Sequence, residues 1–379
     1  MRAAEKTLVN LHLKSKKSRH VYVNLRATQV QASVSTRTFA AAYRCGECAY
    51  RLTFWCDTLG YFKDTLAMSK LTGVTMEDLE WPVKTRELHN HHFDSTVWEE
   101  IEFRDDDIVI ATYAKAGTTW MQQIIAQLLF EGDPEWAVAE MSPWVDLRIP
   151  PKEVKLPIIE NQTHRRFMKT HLPADALRFS SKAKYIYIGR DGRDVVWSLY
   201  NHHVNANQKW YDALNDAPGR IGPPIQPPPE NIHAYWNDWL ARDGFPFWPF
   251  WENIRSWWAI RDLPNVLMDH YSDSKHDMAL NIRAIAEFLN IPINESRWES
   301  ILEYCSFDWM KENATKSVPL GGAFWDAGAQ TFIHKGVNGR WQSTLLPQDI
   351  AAYEKLATEK LGEECAAWLA SGSQQEDDR

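Results

Sequence analysis

The segment TYAKAGTTW, residues 112–120, combines residue types that suit the binding of an anion. An apolar run of β-branched type precedes it and an apolar-periodic segment follows it, so it reads as a turn between a strand and a helix. The first N–H groups of a helix lack partners and carry partial positive charge. Lys115 adds a full charge, and Thr118 and Thr119 add hydroxyl donors. The pattern predicts a site for a phosphate-like anion, with an ordinary turn and an exposed lysine as the alternative.

A histidine that follows a lysine at a strand end is the candidate general base. In the stretch FMKTHLP, His171 follows Lys169 at the end of an apolar run. Imidazole titrates near neutral pH and accepts a proton from an attacking hydroxyl. The pairs His91–His92 and His202–His203 lack a convincing set of further ligands, so no metal site is expected.

Strand-like and helix-like segments alternate from residue 106 onward. Apolar runs at 108–113, 166–170, 185–190 and 265–271 predict strands. Helical periodicity follows the first, third and fourth of these runs, with Asp191 as a predicted N-cap and a predicted helix at 278–289. This order predicts an α/β domain with a central, mostly parallel sheet flanked by helices. Ligands bind beyond the carboxyl ends of such strands.

Charge divides the chain unevenly. Its net charge is −8, but residues 1–67 hold eleven Lys or Arg against four Asp or Glu, which leaves −15 for the remainder. Such an acidic body is a poor general binder of nucleic acid. Residues 1–67 are interpreted as a poorly ordered basic extension; a targeting peptide and a segment outside the working protein are the alternatives. The working domain is expected at 68–371 and an acidic polar tail at 372–379.

No apolar run is long enough to span a bilayer, and no secretory signal opens the chain, so a cytoplasmic protein is expected. A proline-rich loop at 218–229 precedes an aromatic stretch at 233–258. Core packing explains most such aromatic residues; together, the two segments also suit the wall or lid of a ligand pocket.

Four stretches, taken in order, resemble the cytosolic-type sulfotransferases. The pattern Y-x-K-x-G-T-T-W resembles their 5′-phosphosulfate loop, FMKTHLP the strand with their catalytic histidine, and YIYIGRDGRDVVWSLYNH their 3′-phosphate strand and helix. FIHKGVNGRW resembles their C-terminal K-G-x-x-G-x-W loop. In addition to these four, YCSFDWM at 304–310 resembles a segment that contacts the donor's adenosine. The resemblance covers about residues 75–370.

The resemblance implies a P-loop NTPase-like sulfotransferase fold and the donor 3′-phosphoadenosine 5′-phosphosulfate (PAPS), with no metal. It implies that His171 is the general base, that Lys115 stabilises the leaving phosphate and that Lys169 holds the transferring group. The acceptor is expected to be a small or lipid-like molecule with a hydroxyl or an amine. The implied donor-binding residues are Lys115, Ala116, Gly117, Thr118, Thr119, Trp120, Arg190, Ser198, Phe307, His334, Lys335 and Gly336.

The sequence also departs from this family pattern. Ala116 stands where many relatives have serine, and His334 stands where an arginine commonly precedes the K-G pair. The run QSTLLPQD after GRW does not reproduce the dimer motif of the animal enzymes, so the oligomeric state stays open.

Two other functions compete with sulfuryl transfer. A nucleoside or small-molecule kinase with an atypical phosphate loop needs a magnesium-binding carboxylate near that loop, whereas Asp106 and Asp107 precede the strand. A non-catalytic nucleotide-binding module would tolerate the loss of Lys115 and His171, yet both residues are present.

Overall fold

The computed structural model describes the backbone of five strands between Leu8 and Trp55, and residues 79–373 with their side chains. The chain divides into two compact units, Met1–Glu80 and Trp81–Arg379. The first unit holds β1 (Leu8–Lys14) paired antiparallel with β2 (His20–Arg26), and an antiparallel sheet of β3 (Val30–Ser35), β4 (Thr38–Cys45) and β5 (Cys48–Trp55). That residues 1–67 are an extension stays a prediction, and residues 374–379 of the expected tail lie outside the described residues.

A four-stranded parallel sheet organises the second unit. Its strands are β6 (Ile108–Thr112), β7 (Phe167–Thr170), β8 (Lys184–Gly189) and β9 (Val266–His270), in the spatial order β7-β6-β8-β9. The predicted parallel sheet is confirmed, and its strands fall within one or two residues of the four apolar runs.

Helices join and cover these strands. In chain order they are α1 (Thr118–Leu129), α2 (Val138–Met141), α3 (Lys152–Glu160), α4 (Gly192–Val204), α5 (Gln208–Asn215), α6 (Ile232–Ala241), α7 (Phe250–Ala259), α8 (Tyr271–His276), α9 (Met278–Leu289), α10 (Trp298–Cys305), α11 (Phe307–Glu312), α12 (Ala314–Ser317), α13 (Ala329–Phe332), α14 (Pro347–Leu361) and α15 (Glu363–Ser371). Short 3₁₀ turns lie at Ser95–Glu100, Ala174–Ala176, Glu295–Arg297, Pro319–Gly322 and Arg340–Ser343. Asp191 caps α4 as predicted, accepting a hydrogen bond from the Arg193 N–H.

The two faces of the sheet bury different side chains. Alternate strand residues such as Ile110 and Ile186 pack with α1, α9 and α10 in a mainly aliphatic layer. Their neighbours, such as Val109 and Tyr187, pack with α6 and α7 in a layer rich in tryptophan. Burial on both faces explains why the strands read as continuous apolar runs. The two layers hold the carboxyl ends of the strands in fixed positions.

Candidate active site

The turn between β6 and α1 has a backbone conformation that favours glycine. Lys115 and Gly117 adopt φ angles of 67° and 118°. A Cβ at Gly117 would lie 2.9 Å from the Tyr271 ring, so a larger residue meets both a strained φ and a clash. The Oγ1 atoms of Thr118 and Thr112 lie 2.7 Å apart, which ties the start of α1 to the end of β6. The first N–H groups of α1, which lack intrahelical partners, therefore face a tightly fixed turn.

His171 is held with one ring nitrogen available. Its Nδ1 lies 2.8 Å from the Thr112 carbonyl oxygen, so the proton of the neutral ring sits on Nδ1 and donates to that oxygen. No described residue forms a hydrogen bond with Nε2, which therefore carries a free lone pair. The Asn253 amide donates to the His171 carbonyl at 2.9 Å and fixes the backbone. Burial, followed by the charges of Lys169 and Lys115, lowers the pKa of His171 to about 3, so the ring is neutral at physiological pH.

Two lysines lie near this imidazole without a carboxylate partner among the described residues. Lys169 is buried, with Nζ 5.5 Å from the centroid of the Trp144 ring, and forms no ion pair with a described residue. Burial lowers its pKa to about 8, and the charge of the buried Asp146 opposes this only in part. Lys115 Nζ lies 3.8 Å from the centroid of Phe332. Burial, and then the charges of Arg190 and Lys169, lower the pKa of Lys115 to about 7. Cations that repel one another and lack a carboxylate partner suit an anionic ligand.

Arg190 joins the β6–α1 turn to the C-terminal loop at residues 333–341. Its Nη1 donates to the Lys115 carbonyl at 3.0 Å, and its Nη2 and Nε donate to Asn338 Oδ1 at 2.9 and 3.2 Å. Its guanidinium carbon lies 4.2 Å from the centroid of Tyr271. Ser198 lies in α4, and its hydroxyl forms no hydrogen bond with a described residue. These contacts link three of the four motif stretches.

Phe307 and the same loop form the neighbouring edge of the site. The φ angle of Gly336 is 61°, and a Cβ there would lie 2.6 Å from the Phe307 ring. Phe307 is 38% exposed, a large fraction for an aromatic residue in contact with its surroundings. Trp120 Nε1 donates to the Cys305 carbonyl at 2.8 Å and ties α1 to the segment before Phe307. Of the other predicted residues, Ala116 is buried in the turn, whereas Lys335 is exposed.

Sequence reasoning did not select two further cations at this edge. Arg340 Nη1 lies 3.4 Å from His334 Nδ1, and burial, followed by the charge of Arg190, lowers the pKa of Arg340. Lys275 Nζ donates to the Gly336 carbonyl at 2.5 Å. Neither forms an ion pair with a carboxylate within residues 79–373. Arg340 lies inside the motif GVNGRW, so the sequence alone could have indicated it as a site residue. No local sequence pattern indicates Lys275.

Two negative results apply to the part of the chain that the structure describes. Among these residues, no group of three or more His, Cys, Asp or Glu side chains is placed to hold a metal ion. None of the helices described is both long enough and apolar enough to cross a membrane.

A neutral imidazole lies beside cations that form no ion pair among the described residues, at the carboxyl ends of a parallel sheet, and this arrangement suits an anionic ligand. The sulfotransferase domain model matches residues 105–364, and the chain belongs to this family. The predicted family and enzyme class are thereby confirmed.

Curated relatives of this chain include sulfotransferases from bacteria and mammals. A glycolipid sulfotransferase of Mycobacterium bovis (strain BCG / Pasteur 1173P2) is 28% identical over 74% of this chain and 92% of its own length. Sulfotransferase 2B1 of Homo sapiens is 32% identical over 67% of this chain and 66% of its own length.

Solved structures share the fold. A mouse sulfotransferase, SULT7A1, in complex with PAP aligns with a TM-score of 0.55 and 24% identity over 76% of this chain and 93% of its own. Retinol dehydratase in complex with retinol and PAP aligns with a TM-score of 0.54 and 22% identity over 71% and 84%. The predicted fold class is confirmed.

Proposed function

We propose that this protein transfers a sulfuryl group from PAPS to a hydroxyl, or an amine, of a small or lipid-like organic acceptor. One observation carries the proposal. Lys115, Lys169, Arg190 and Arg340 form no ion pair with a carboxylate of the described structure, although the charges of Asp146 and Asp194 act on three of them. Lys115 and Lys169 lie close enough to His171 to lower the pKa of its imidazole. PAPS carries negative charge at both ends of an adenosine, which such a set of separated cations matches.

The donor would lie along the contacts that join the turn to the C-terminal loop. The N–H groups at the start of α1, together with Lys115, Thr118 and Thr119, would hold the 5′-phosphosulfate. Arg190, Ser198, His334, Lys335 and Gly336 would hold the 3′-phosphate, with Arg340 as an added cation. Trp120 and Phe307 would provide aromatic rings for the adenine. The exposed Phe307 lies directly against Gly336, and Trp120 is hydrogen-bonded to the segment that precedes Phe307.

His171 and the two lysines divide the chemistry. The acceptor oxygen attacks the sulfur in line with the departing phosphate oxygen, and the S–O bond to that oxygen breaks as the new S–O bond forms. His171 Nε2 takes the proton of the acceptor. Lys115 stabilises the charge on the departing oxygen, and Lys169 stabilises the non-bridging oxygens. Negative charge beside His171 raises its pKa and makes it a stronger base than in the empty site.

Two observations support an apolar acceptor: the names of similar proteins, and the aromatic residues that lie beside His171. One relative is a glycolipid sulfotransferase, and one fold neighbour binds retinol. Trp144 stands edge-on to His171 with a centroid separation of 4.6 Å, and Phe247 is stacked on Trp144 at 6.4 Å. Aromatic surfaces of this kind bury an apolar acceptor body.

The purified protein tests the proposal in two steps. Adenosine 3′,5′-bisphosphate should raise its melting temperature without added metal, and labelled sulfate should pass from PAPS to members of a phenol and alcohol panel. Stabilisation by ATP with magnesium, and no response to the bisphosphate, would instead identify a kinase. Binding of the bisphosphate without transfer to any acceptor would identify a non-catalytic module.

A further inference from the structure

Three histidines belong to a continuous belt of rings that runs from His171 to Lys115. We name His92, His202 and His203 the imidazole cluster. From His171 the belt continues through Trp144, at a centroid separation of 4.6 Å, to His92, which lies 6.2 Å from Trp144. Phe247 follows at 4.0 Å from His92, and His203 lies 6.1 Å from Phe247. His202 lies 5.5 Å from His203, and Phe332 ends the series 5.6 Å from His202. Lys115 Nζ lies over Phe332, which closes the belt at the second reactive group.

The imidazole cluster is buried, and several of its ring nitrogens have no hydrogen-bond partner among the described residues. His92, His202 and His203 are 2%, 8% and 4% exposed. Among the described residues, no group meets hydrogen-bond geometry with either ring nitrogen of His92, although the Pro246 carbonyl lies near this ring. His202 Nδ1 and His203 Nε2 also have no partner within residues 79–373. His203 Nδ1, in contrast, lies 2.7 Å from the Tyr235 hydroxyl. A buried polar atom left without a partner costs about 1–3 kcal/mol, so several of them beside a reaction centre point to a ligand that completes their hydrogen bonds.

These imidazoles are neutral. Burial, followed by the neighbouring histidines, lowers the pKa of His92 well below its usual value, and the nearby Pro246 carbonyl opposes this only in part. Burial and then the charge of Lys115 lower the pKa of His203 to about 3. A neutral imidazole has one donor and one acceptor, as a hydroxyl group does. A cationic group is disfavoured here because Lys115 and Lys169 lie at the two ends of the belt.

We propose that His92 and His203 recognise a second, uncharged hydroxyl on a ring-bearing acceptor, and so select acceptors with two hydroxyls over acceptors with one. This inference rests on the proposed sulfuryl transfer, in which the first hydroxyl reacts at His171. A single indole, Trp144, separates His171 from His92. We therefore expect the two hydroxyls to be attached at opposite ends of a flat ring system in the acceptor.

Two acceptors on one scaffold test the proposal. We expect kcat/KM for 2,7-dihydroxynaphthalene to exceed that for 2-naphthol by about tenfold or more, because a site built to pair a hydroxyl rejects an analogue that lacks it. This is larger than the twofold gain expected from two equivalent hydroxyls. His92→Phe and His203→Phe should each lower the preference toward twofold, whereas His92→Asn, which keeps a donor and an acceptor, should retain part of it.

His164→Phe is the matched control. His164 precedes β7 and so lies at the amino ends of the strands, away from the carboxyl ends where the site lies, and its replacement should leave the preference unchanged. The melting shift with the bisphosphate and the rate with 2-naphthol are measured for every variant, since they report on the proposed function alone. If the melting shift and the rate with 2-naphthol are both intact, two results overturn the proposal. One is a wild-type protein with no preference for the dihydroxynaphthalene, and the other is a preference that survives in both His92→Phe and His203→Phe. Loss of the bisphosphate shift and of all transfer in the wild-type protein would instead count against the proposed function.

Discussion

Thr112 contacts both the start of α1 and the ring of His171, the two groups to which the proposed mechanism assigns donor binding and proton transfer. Its hydroxyl lies 2.7 Å from Thr118 Oγ1 and 3.0 Å from His171 Nδ1, while its carbonyl accepts the Nδ1 proton. One residue at the end of β6 thus fixes both the start of α1, the helix proposed to bind the anion, and the tautomer of His171, the proposed base. The sequence alone predicts His171 and Lys115 as site residues, but this link between them depends on the pairing of β6 with β7.

Replacing His171 separates chemistry from donor binding. We expect His171→Ala to lower turnover on the order of 10²-fold or more, because no described group replaces Nε2 as the proton acceptor. Its melting shift with the bisphosphate should stay near the wild-type value, whereas Lys115→Ala should lower both turnover and that shift. His164→Ala is the control in both assays. Near-normal turnover in His171→Ala would remove this residue from the mechanism.

Lys115 should take up a proton when the donor site fills. Its pKa of about 7 leaves it mostly neutral at about pH 8 in the free protein, and an anion beside it raises that pKa. Bisphosphate binding at about pH 8 should therefore consume a proton, and affinity should weaken as the pH rises above about 7. Calorimetry in buffers of different ionisation enthalpy measures this uptake, which Lys115→Met should abolish. Equal uptake in that variant would assign the proton elsewhere.

At the scale of elements, the positions of the strands were predictable from the sequence, whereas the contacts between the loops that follow them were not. Continuous apolar runs located β6 to β9 because both faces of the sheet are buried, and Asp191 marked the start of α4. The contact of Arg190 with Asn338, and the belt that joins His92 to His203, connect residues far apart in sequence. No local periodicity encodes such contacts, since they arise only when loops meet at the sheet's edge.

The loop at 333–341 needs glycine where it meets α11. In Gly336→Ala the new Cβ would lie 2.6 Å from the Phe307 ring at a φ of 61°. We expect the loop and Phe307 to move apart and bisphosphate affinity to fall by about tenfold. Gly328→Ala is the matched control, because it shares a positive φ of 75° but meets nothing within 4 Å. That control should lose some stability and keep its affinity. Equal affinity losses in the two variants would show that strain, rather than contact with Phe307, is responsible.

At the scale of the whole molecule, buried neutral histidines make the fold sensitive to acid. The pKa values of His92, His171, His202 and His203 are all lowered by burial. In the unfolded chain these groups bind protons below about pH 6.5, while the folded protein does not. The free energy of unfolding therefore falls as the pH drops below that value, by up to about 1.4 kcal/mol per pH unit for each histidine.

A single substitution isolates this effect. His92→Phe should reduce the loss of stability between about pH 7 and about pH 5, because it removes one group that the unfolded chain protonates. Urea unfolding at each pH measures the free energy. The wild-type slope alone is not diagnostic, since burial raises the pKa values of Asp194 and Asp269 to about 6 and these groups act in the opposite direction. An unchanged slope in His92→Phe would show that this ring is protonated in the folded protein.

The second unit carries every proposed site residue, which bears on the role of the first. The sulfotransferase domain model begins at residue 105, and the compact second unit begins at Trp81. We therefore expect a chain that starts at Met68 to keep its melting temperature, its shift with the bisphosphate and its sulfate transfer. Circular dichroism melting and the labelled-sulfate assay compare it with the full chain. A drop of many degrees in melting temperature would make residues 1–67 part of the folded enzyme, and lost transfer at an unchanged melting temperature would give them a role at the site.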